Sequence, residues 1–139
     1  MDETSLSSRK RLKVLAKKNQ LPLLTDNPKI PHLTGVITVS ASGEFFKPLI
    51  VLPNKKTLRY LKQFDDQCYF VSTLSGWMTK TTFLYYALLI ISQIQQYRLT
   101  LDEKIRNDPI LLIMDGAKSH ISFKAAYLFY LFDIDLLLI

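Results

Sequence analysis

The chain has 139 residues, enough for one domain whose core buries roughly two thirds of its unfolded surface. A hydrophobic content of 48% with 12% aromatic residues excludes a disordered protein, and a single cysteine, Cys68, excludes an internal disulfide and a zinc-finger ligand set. Its 18 Lys and Arg against 12 Asp and Glu give a net charge of +6, which favours either an anionic partner such as nucleic acid or an ordinary solvated basic surface.

The beginning of the chain is basic and then rich in proline. Residues 7–19 carry six Lys and Arg side chains around "LKVLAKK", a pattern compatible with a short exposed strand. Pro22, Pro28 and Pro31 indicate an irregular connection over residues 20–31. Residues 1–20 lack the apolar centre of a secretory signal, and the longest apolar run, Phe83–Ile91, is far shorter than the roughly 20 residues that span a bilayer. We therefore expect a soluble protein with no membrane partner.

A β-hairpin is predicted next, over residues 32–53. The β-branched run "VITV" suits a strand, "SASGE" suits a turn, and "FFKPLIVL" suits a returning strand. Pro48 must then lie where the sheet needs no backbone donor. "CYFVS" at residues 68–72 indicates one more short strand.

The second half of the chain alternates predicted helices with apolar strands. A helix capped by Thr79 or Thr81 is expected to bury one face; that face comprises Phe83, Leu84, Ala87, Leu88, Ile91, Ile94 and Tyr97. "ILLIM" at residues 110–114 is typical of a central strand buried on both faces. "SHISFKAAYLFYLF" indicates a second helix, capped by Ser119 or Ser122, and "DIDLLLI" indicates a last buried strand. This order predicts an α/β fold with helices against a mixed sheet, and an ending inside a strand predicts a piece of a larger unit.

Asp115 follows the apolar strand directly and is the strongest candidate for chemistry. Open α/β sheets bind ligands at the carboxyl ends of their strands, and Gly116 would allow close backbone approach there. If Asp2 ended a neighbouring strand, the two carboxylates would converge and could hold a cation such as Mg²⁺. The alternatives are a plain turn at Asp115 and a frayed acidic end at Asp2.

The two histidines and the single tryptophan carry weaker signals. His120, five residues after Asp115, is more typical of a helix cap or a local hydrogen bond than of a metal ligand. His32 lies in the proline-rich connection without a visible partner. Trp77 is expected to plug the core at the entrance of the first helix, with a base-stacking role as the alternative.

Taken in order, several segments resemble the DDE-type endonuclease domain of pogo and Tigger-like transposases and of their jerky and centromere-binding relatives. The resemblance covers essentially the whole chain and is carried by "DETS", "RKRLKVLAKK", "TGVITVSASGEFFKPLIVLP", "GWMTKTTF", "ILLIMDGAKSHIS" and "IDLLLI". It implies a ribonuclease H-like fold, with a mixed five-stranded sheet flanked by helices and incomplete at both termini.

The same resemblance implies the catalytic residues and the cofactor. Asp2 matches the first catalytic acid, at the end of the first strand, and Asp115 the second, at the end of the fourth. With a third acid they would bind Mg²⁺ or Mn²⁺ ions that activate water or a 3′ hydroxyl for attack on a DNA phosphodiester. The third acid would lie beyond Ile139, and neither Asp133 nor Asp135, which precede the last strand, is assigned to it.

Three functions remain open from the sequence. The first is a metal-dependent DNA endonuclease or transposase core, the second a DNA-binding module without cleavage, and the third a decayed reading frame of a mobile element. DNA is the expected partner, the nucleus the expected location, and homo-oligomerisation an open alternative. The candidate nucleic-acid contacts are the basic residues Arg9, Lys10, Arg11, Lys13, Lys17, Lys18 and Lys118.

Overall fold

The computed structural model describes residues 1–5, 32–53, 61 and 66–139. Its first sheet has four strands in chain order: β1 (Asp2–Ser5), β2 (Thr34–Ile37), β3 (Leu49–Leu52) and β4 (Tyr69–Ser72). β2 is antiparallel to both β1 and β3, whereas β4 is parallel to β3, so the sheet is mixed. The basic strand predicted within residues 7–19 lies outside the described residues.

The predicted hairpin is confirmed. β2 pairs with β3 around a turn closed by the Gly43 amide, which donates to the Ser40 carbonyl at 3.0 Å. Gly43 has a φ of 91°, a conformation that only glycine adopts without strain. Pro48 lies just before β3, where its carbonyl accepts the Tyr69 amide at 2.8 Å and connects the hairpin to β4.

Helix α1 (Lys80–Arg98) begins at the predicted cap, because the Thr79 hydroxyl accepts the Thr82 amide at 3.1 Å. The predicted inward face is correct for its aromatic and isoleucine positions but wrong for Leu88, which is 50% exposed. Tyr86 is buried instead, and its hydroxyl is hydrogen-bonded to Thr38 just beyond β2. Burial raises the pKa of Tyr86 to about 12, although the Thr38 hydrogen bond works in the opposite direction.

The remaining elements are β5 (Ile110–Met114), α2 (Phe123–Leu131) and β6 (Ile134–Leu138). β5 and β6 form a separate two-stranded parallel sheet, and α2 begins after Ser122, whose side chain makes no capping hydrogen bond. The prediction that both strands are fully buried is wrong. Leu112 and Met114 are buried in the core, whereas several other apolar side chains of the two strands are exposed; these include Leu111, Ile113, Leu137 and Leu138. In the described part of the chain these strands have one covered face, not two.

One hydrophobic core contains side chains of both sheets and both helices. Its fully buried members include Val36 of β2, Ile90 of α1 and Phe129 of α2. The two sheets also touch at the backbone, where the Met1 ammonium donates to the Ile113 carbonyl at 2.8 Å. The protein is thus a mixed α/β structure with four plus two strands. No helix among the described residues is long and apolar enough to cross a membrane.

The carboxyl ends of β1, β3 and β4 lie at one edge of the first sheet. β1, β3 and β4 run in one direction, because β2 is antiparallel to its neighbours and β4 is parallel to β3. Met1 contacts Ile113 within β5, and Glu3 contacts His120, which follows β5, so the start of β1 lies near the end of β5. We use the term carboxyl edge for the carboxyl ends of β1, β3, β4 and β5, marked by Ser5, Pro53, Thr73 and Asp115.

Candidate functional site

The candidate site lies at the carboxyl edge, where β5 ends at Met114 and Asp115 follows. Met114 is 1% exposed and anchors the end of the strand in the core, while the Asp115 side chain is about half exposed. The apolar strand therefore fixes the backbone of a carboxylate that remains accessible to solvent. β1 brings a second acidic residue, Glu3, to the same place.

His120 connects the two acidic residues. Its Nε2 lies 2.5 Å from Glu3 Oε1, and its Nδ1 lies 3.0 Å from the Asp115 carbonyl oxygen and 2.7 Å from Asp115 Oδ1. The imidazole has no exposed surface, and the Phe83 ring packs against it with centroids 4.8 Å apart. One buried ring thus bridges β1 and the segment after β5.

The Oδ1 atom of Asp115 is buried and has no hydrogen-bond partner among the described residues. It lies close to Nδ1 of His120, but the geometry of a hydrogen bond is met by the Asp115 carbonyl oxygen and not by Oδ1. His120 therefore offers Oδ1 a nearby charge when it is protonated, without an N–H directed at it. An unsatisfied carboxylate oxygen of this kind retains its capacity to bind a donor or a cation.

The charge state of His120 is set by opposing effects. Burial lowers the pKa of His120, but the hydrogen bonds to Glu3 and Asp115 and the negative charges of both residues raise it, and the net shift is above the ordinary 6.5. The surroundings thus favour an imidazolium between two carboxylates. The prediction of a structural role with a local hydrogen bond describes His120 well, although its contact with Glu3 comes from the other end of the chain.

Asp2, the predicted partner of Asp115, is exposed, and its Oδ1 accepts the Glu3 amide at 2.8 Å. It is the first residue of β1, and the strand continues from it to Ser5 instead of ending there. Among residues 1–5 and 66–139, no hydrogen bond or ion pair joins Asp2 to Asp115. Joint cation binding by these two residues stays a prediction.

The other predicted residues have different outcomes. Lys118 is exposed in the turn between Asp115 and His120, whereas the basic residues of the 9–18 segment lie outside the described part of the chain. The core position predicted for Trp77 is wrong, because the side chain is 57% exposed. His32 has two partners, a stack on Trp77 with centroids 3.6 Å apart and the Thr34 hydroxyl at 3.1 Å from Nε2.

Sequence reasoning missed Glu3 as a member of this site. The available signal was its position beside Asp2: side chains alternate between the faces of a strand, so two consecutive acids present one carboxylate to each face.

Within the described residues, no group of three or more His, Cys, Asp or Glu side chains is arranged to hold a metal ion. Comparisons of the chain with protein-family models, curated proteins and solved structures found no match.

Proposed function

We propose that this chain is a nucleic-acid-binding domain of the DDE endonuclease type, derived from a pogo or Tigger-like DNA transposase. In a complete protein the domain would cut and transfer DNA strands with Mg²⁺ or Mn²⁺, and it would act in the nucleus. The proposal rests on the resemblance of the "DETS" and "IMDGAKSHIS" segments and on the fact that these two segments meet at the carboxyl edge.

The observation that carries the proposal is the contact between the two segments: Glu3, which follows Asp2, is hydrogen-bonded to His120, which also contacts Asp115. Asp2 pairs with Ile37, which is 39% exposed, while Glu3 pairs with the buried Val36. Asp115 follows β5 directly; its side chain is about half exposed, and its Oδ1 is buried 2.7 Å from Nδ1 of His120. The Met1 ammonium donates to the Ile113 carbonyl at 2.8 Å, so the start of β1 lies near the end of β5, and we propose that the Asp2 and Asp115 carboxylates approach each other there.

The donor atoms suit a hard divalent cation. Asp115 Oδ1 is buried without a hydrogen-bond donor, and Asp2 uses one carboxylate oxygen for the Glu3 amide, which leaves its second oxygen available. Magnesium sites often contain only one or two carboxylates, completed by water and substrate phosphates. Asp2 and Asp115 would hold the ion, which when bound activates a hydroxyl nucleophile and neutralises charge at the phosphate.

His120 and Glu3 would support this site without contacting the substrate. The buried imidazole holds the backbone carbonyl of Asp115, and Glu3 fixes the ring from the opposite nitrogen. A carboxylate positioned this way does not need to reorganise when substrate arrives, which is a general requirement for efficient electrostatic catalysis.

A second candidate function is DNA binding without cleavage. The 2.7 Å approach of His120 Nδ1 to Asp115 Oδ1 favours it, because a protonated imidazole compensates the carboxylate charge within the protein and competes with a cation. The net charge of +6 would still attract the DNA backbone.

Plasmid nicking in Mn²⁺ distinguishes the two functions. We expect the parent to nick DNA and Asp115→Asn to lose at least about 100-fold of that activity, since members of a cooperative catalytic set are not replaceable singly. Asp135→Asn, which removes an exposed acid from β6, is the matched control and should nick like the parent. Equal nicking by Asp115→Asn would refute the assignment of Asp115. DNA binding that weakens with salt, without nicking by the parent, would favour the binding module.

A further inference from the structure

Trp77 lies in the loop of residues 73–79, which connects the carboxyl end of β4 to the start of α1 at the carboxyl edge. The side chain is 57% exposed, although an indole is among the most apolar surfaces a protein can show to water. One of its faces is covered, because the His32 ring stacks on it with centroids 3.6 Å apart and an angle of 16° between the planes. No second aromatic ring packs on Trp77 among the described residues.

Hydrogen bonds fix both the His32 ring and the loop that carries Trp77. His32 Nε2 lies 3.1 Å from the Thr34 hydroxyl, which donates to the Gly76 carbonyl at 2.9 Å. The Thr73 hydroxyl accepts the Gly76 amide at 2.9 Å and donates to the Trp77 carbonyl at 3.1 Å. The indole is therefore fixed before any ligand arrives, which lowers the entropy cost of binding a flat partner.

Gly76 is required for this arrangement. Its φ of 78° suits glycine, and a Cβ atom at this position would lie 2.0 Å from the His32 carbonyl oxygen. No other residue could bring the backbone of the loop so close to His32. The segment "SGW" thus encodes a close backbone contact that presents the indole outward.

The position of Trp77 connects it with the acidic site. Phe83, in the first turns of α1, contacts the His120 ring, so the start of this helix lies between Trp77 and the residues around Asp115. Lys80, the first residue of α1, is exposed and follows Trp77 by three residues, so the chain near the indole carries a positive charge. A flat aromatic surface next to a cation matches a nucleotide, whose base stacks and whose phosphate pairs with the charge.

We propose that Trp77, backed by His32, stacks on an unpaired base of single-stranded DNA bound along the carboxyl edge. The inference rests on the proposed function in taking DNA as the ligand, and it adds a specific contact that would direct the strand toward Asp115. Because every base has a π face, this contact would bind DNA with little sequence preference.

Trp77 is the single tryptophan of the chain, so intrinsic fluorescence reports on it alone. We expect titration with a single-stranded oligo-dT, in a chelator that prevents cleavage, to quench the emission saturably. In fluorescence anisotropy with a labelled oligo-dT, Trp77→Ala should bind about tenfold more weakly or worse, and Trp77→Phe should recover most of the affinity. Tyr130→Ala removes a 73% exposed aromatic side chain from α2 and should bind like the parent.

Three results would overturn this inference: no binding of the oligonucleotide, saturation of binding with unchanged tryptophan emission, or equal affinity of Trp77→Ala and the parent. Circular dichroism of each variant checks that the fold is retained. Failure of the proposed cleavage function gives a different result, namely normal quenching and binding in the chelator together with no nicking in Mn²⁺.

Discussion

His120 is a histidine without exposed surface that lies between two carboxylates from distant parts of the chain. Burying a charge is unfavourable unless it is paired and hydrogen-bonded, and here Glu3 and Asp115 provide both kinds of interaction. A hydrogen bond between a protonated imidazole and a carboxylate is charge-assisted and therefore stronger than a neutral one. The residue thus couples the stability of the carboxyl edge to its own protonation.

This coupling predicts a pH dependence of stability. The folded-state pKa of His120 is raised above 6.5, so folding favours the protonated form. The resulting stabilisation is complete below about pH 6.5, the value of the unfolded chain, and is lost as the pH rises through the folded pKa. We expect urea denaturation to show a free energy of unfolding that falls as the pH rises above about 6.5.

His120→Gln should lack this part of the pH dependence and be less stable at about pH 6, by roughly 1.5–3 kcal/mol, the usual value of a hydrogen bond to a charged group. Glu3→Gln is the control that keeps the histidine but removes one of its charged partners, and it should flatten the profile in part. Superimposable profiles for the parent and His120→Gln would show that His120 does not couple folding to protonation.

At its carboxyl end, α1 is connected to the rest of the structure by Arg98, which is 7% exposed. Its guanidinium donates to the Arg106 and Asp108 carbonyls, each at 2.9 Å, and to the Asp133 carbonyl at 3.0 Å. The planar group can serve several backbone acceptors at once, which a lysine ammonium on a flexible stem does less well. Arg98 thereby joins the helix to the following loop and to the residue before β6.

Arg98→Met should lower the free energy of unfolding by at least about 2 kcal/mol, because it leaves several carbonyls without their donor. Chemical denaturation measures this loss directly. Arg106→Met is a matched control: Arg106 is only partly buried and donates to a single carbonyl, that of Leu101, so its replacement should cost about 1 kcal/mol or less. Equal losses for the two variants would contradict the structural role assigned to Arg98.

The start of the first helix and the turn of the hairpin were predicted correctly from short segments of sequence. Thr79 capped the first helix and the "SASGE" turn closed the hairpin, since caps and tight turns depend on neighbouring residues alone. Burial was predicted less well for "ILLIM", because an apolar run cannot tell whether a second layer covers its outer face. The burial of Tyr86 was not predicted and the core position predicted for Trp77 was wrong, because both side chains have long-range partners, Thr38 and His32.

For the whole molecule, the arrangement of strands decides which residues can act together. The sequence singled out Asp115 because an apolar strand that ends in a carboxylate is a local pattern. It could not identify the contact of Glu3 with His120, since 117 positions separate the two residues and only the tertiary fold brings them together. The positive net charge, in contrast, is a property of composition, so an anionic partner could be expected from the sequence without knowledge of the fold.

Joint binding of one divalent cation by Asp2 and Asp115 is the proposal on which the cleavage function depends. Isothermal titration calorimetry with Mn²⁺ tests it without requiring DNA or cleavage. We expect one Mn²⁺ site in the parent. Its Mn²⁺ affinity should be at least about tenfold lower in Asp2→Asn and in Asp115→Asn, and unchanged in Asp135→Asn. Equal Mn²⁺ affinity in all four proteins, or no binding by the parent, would contradict it.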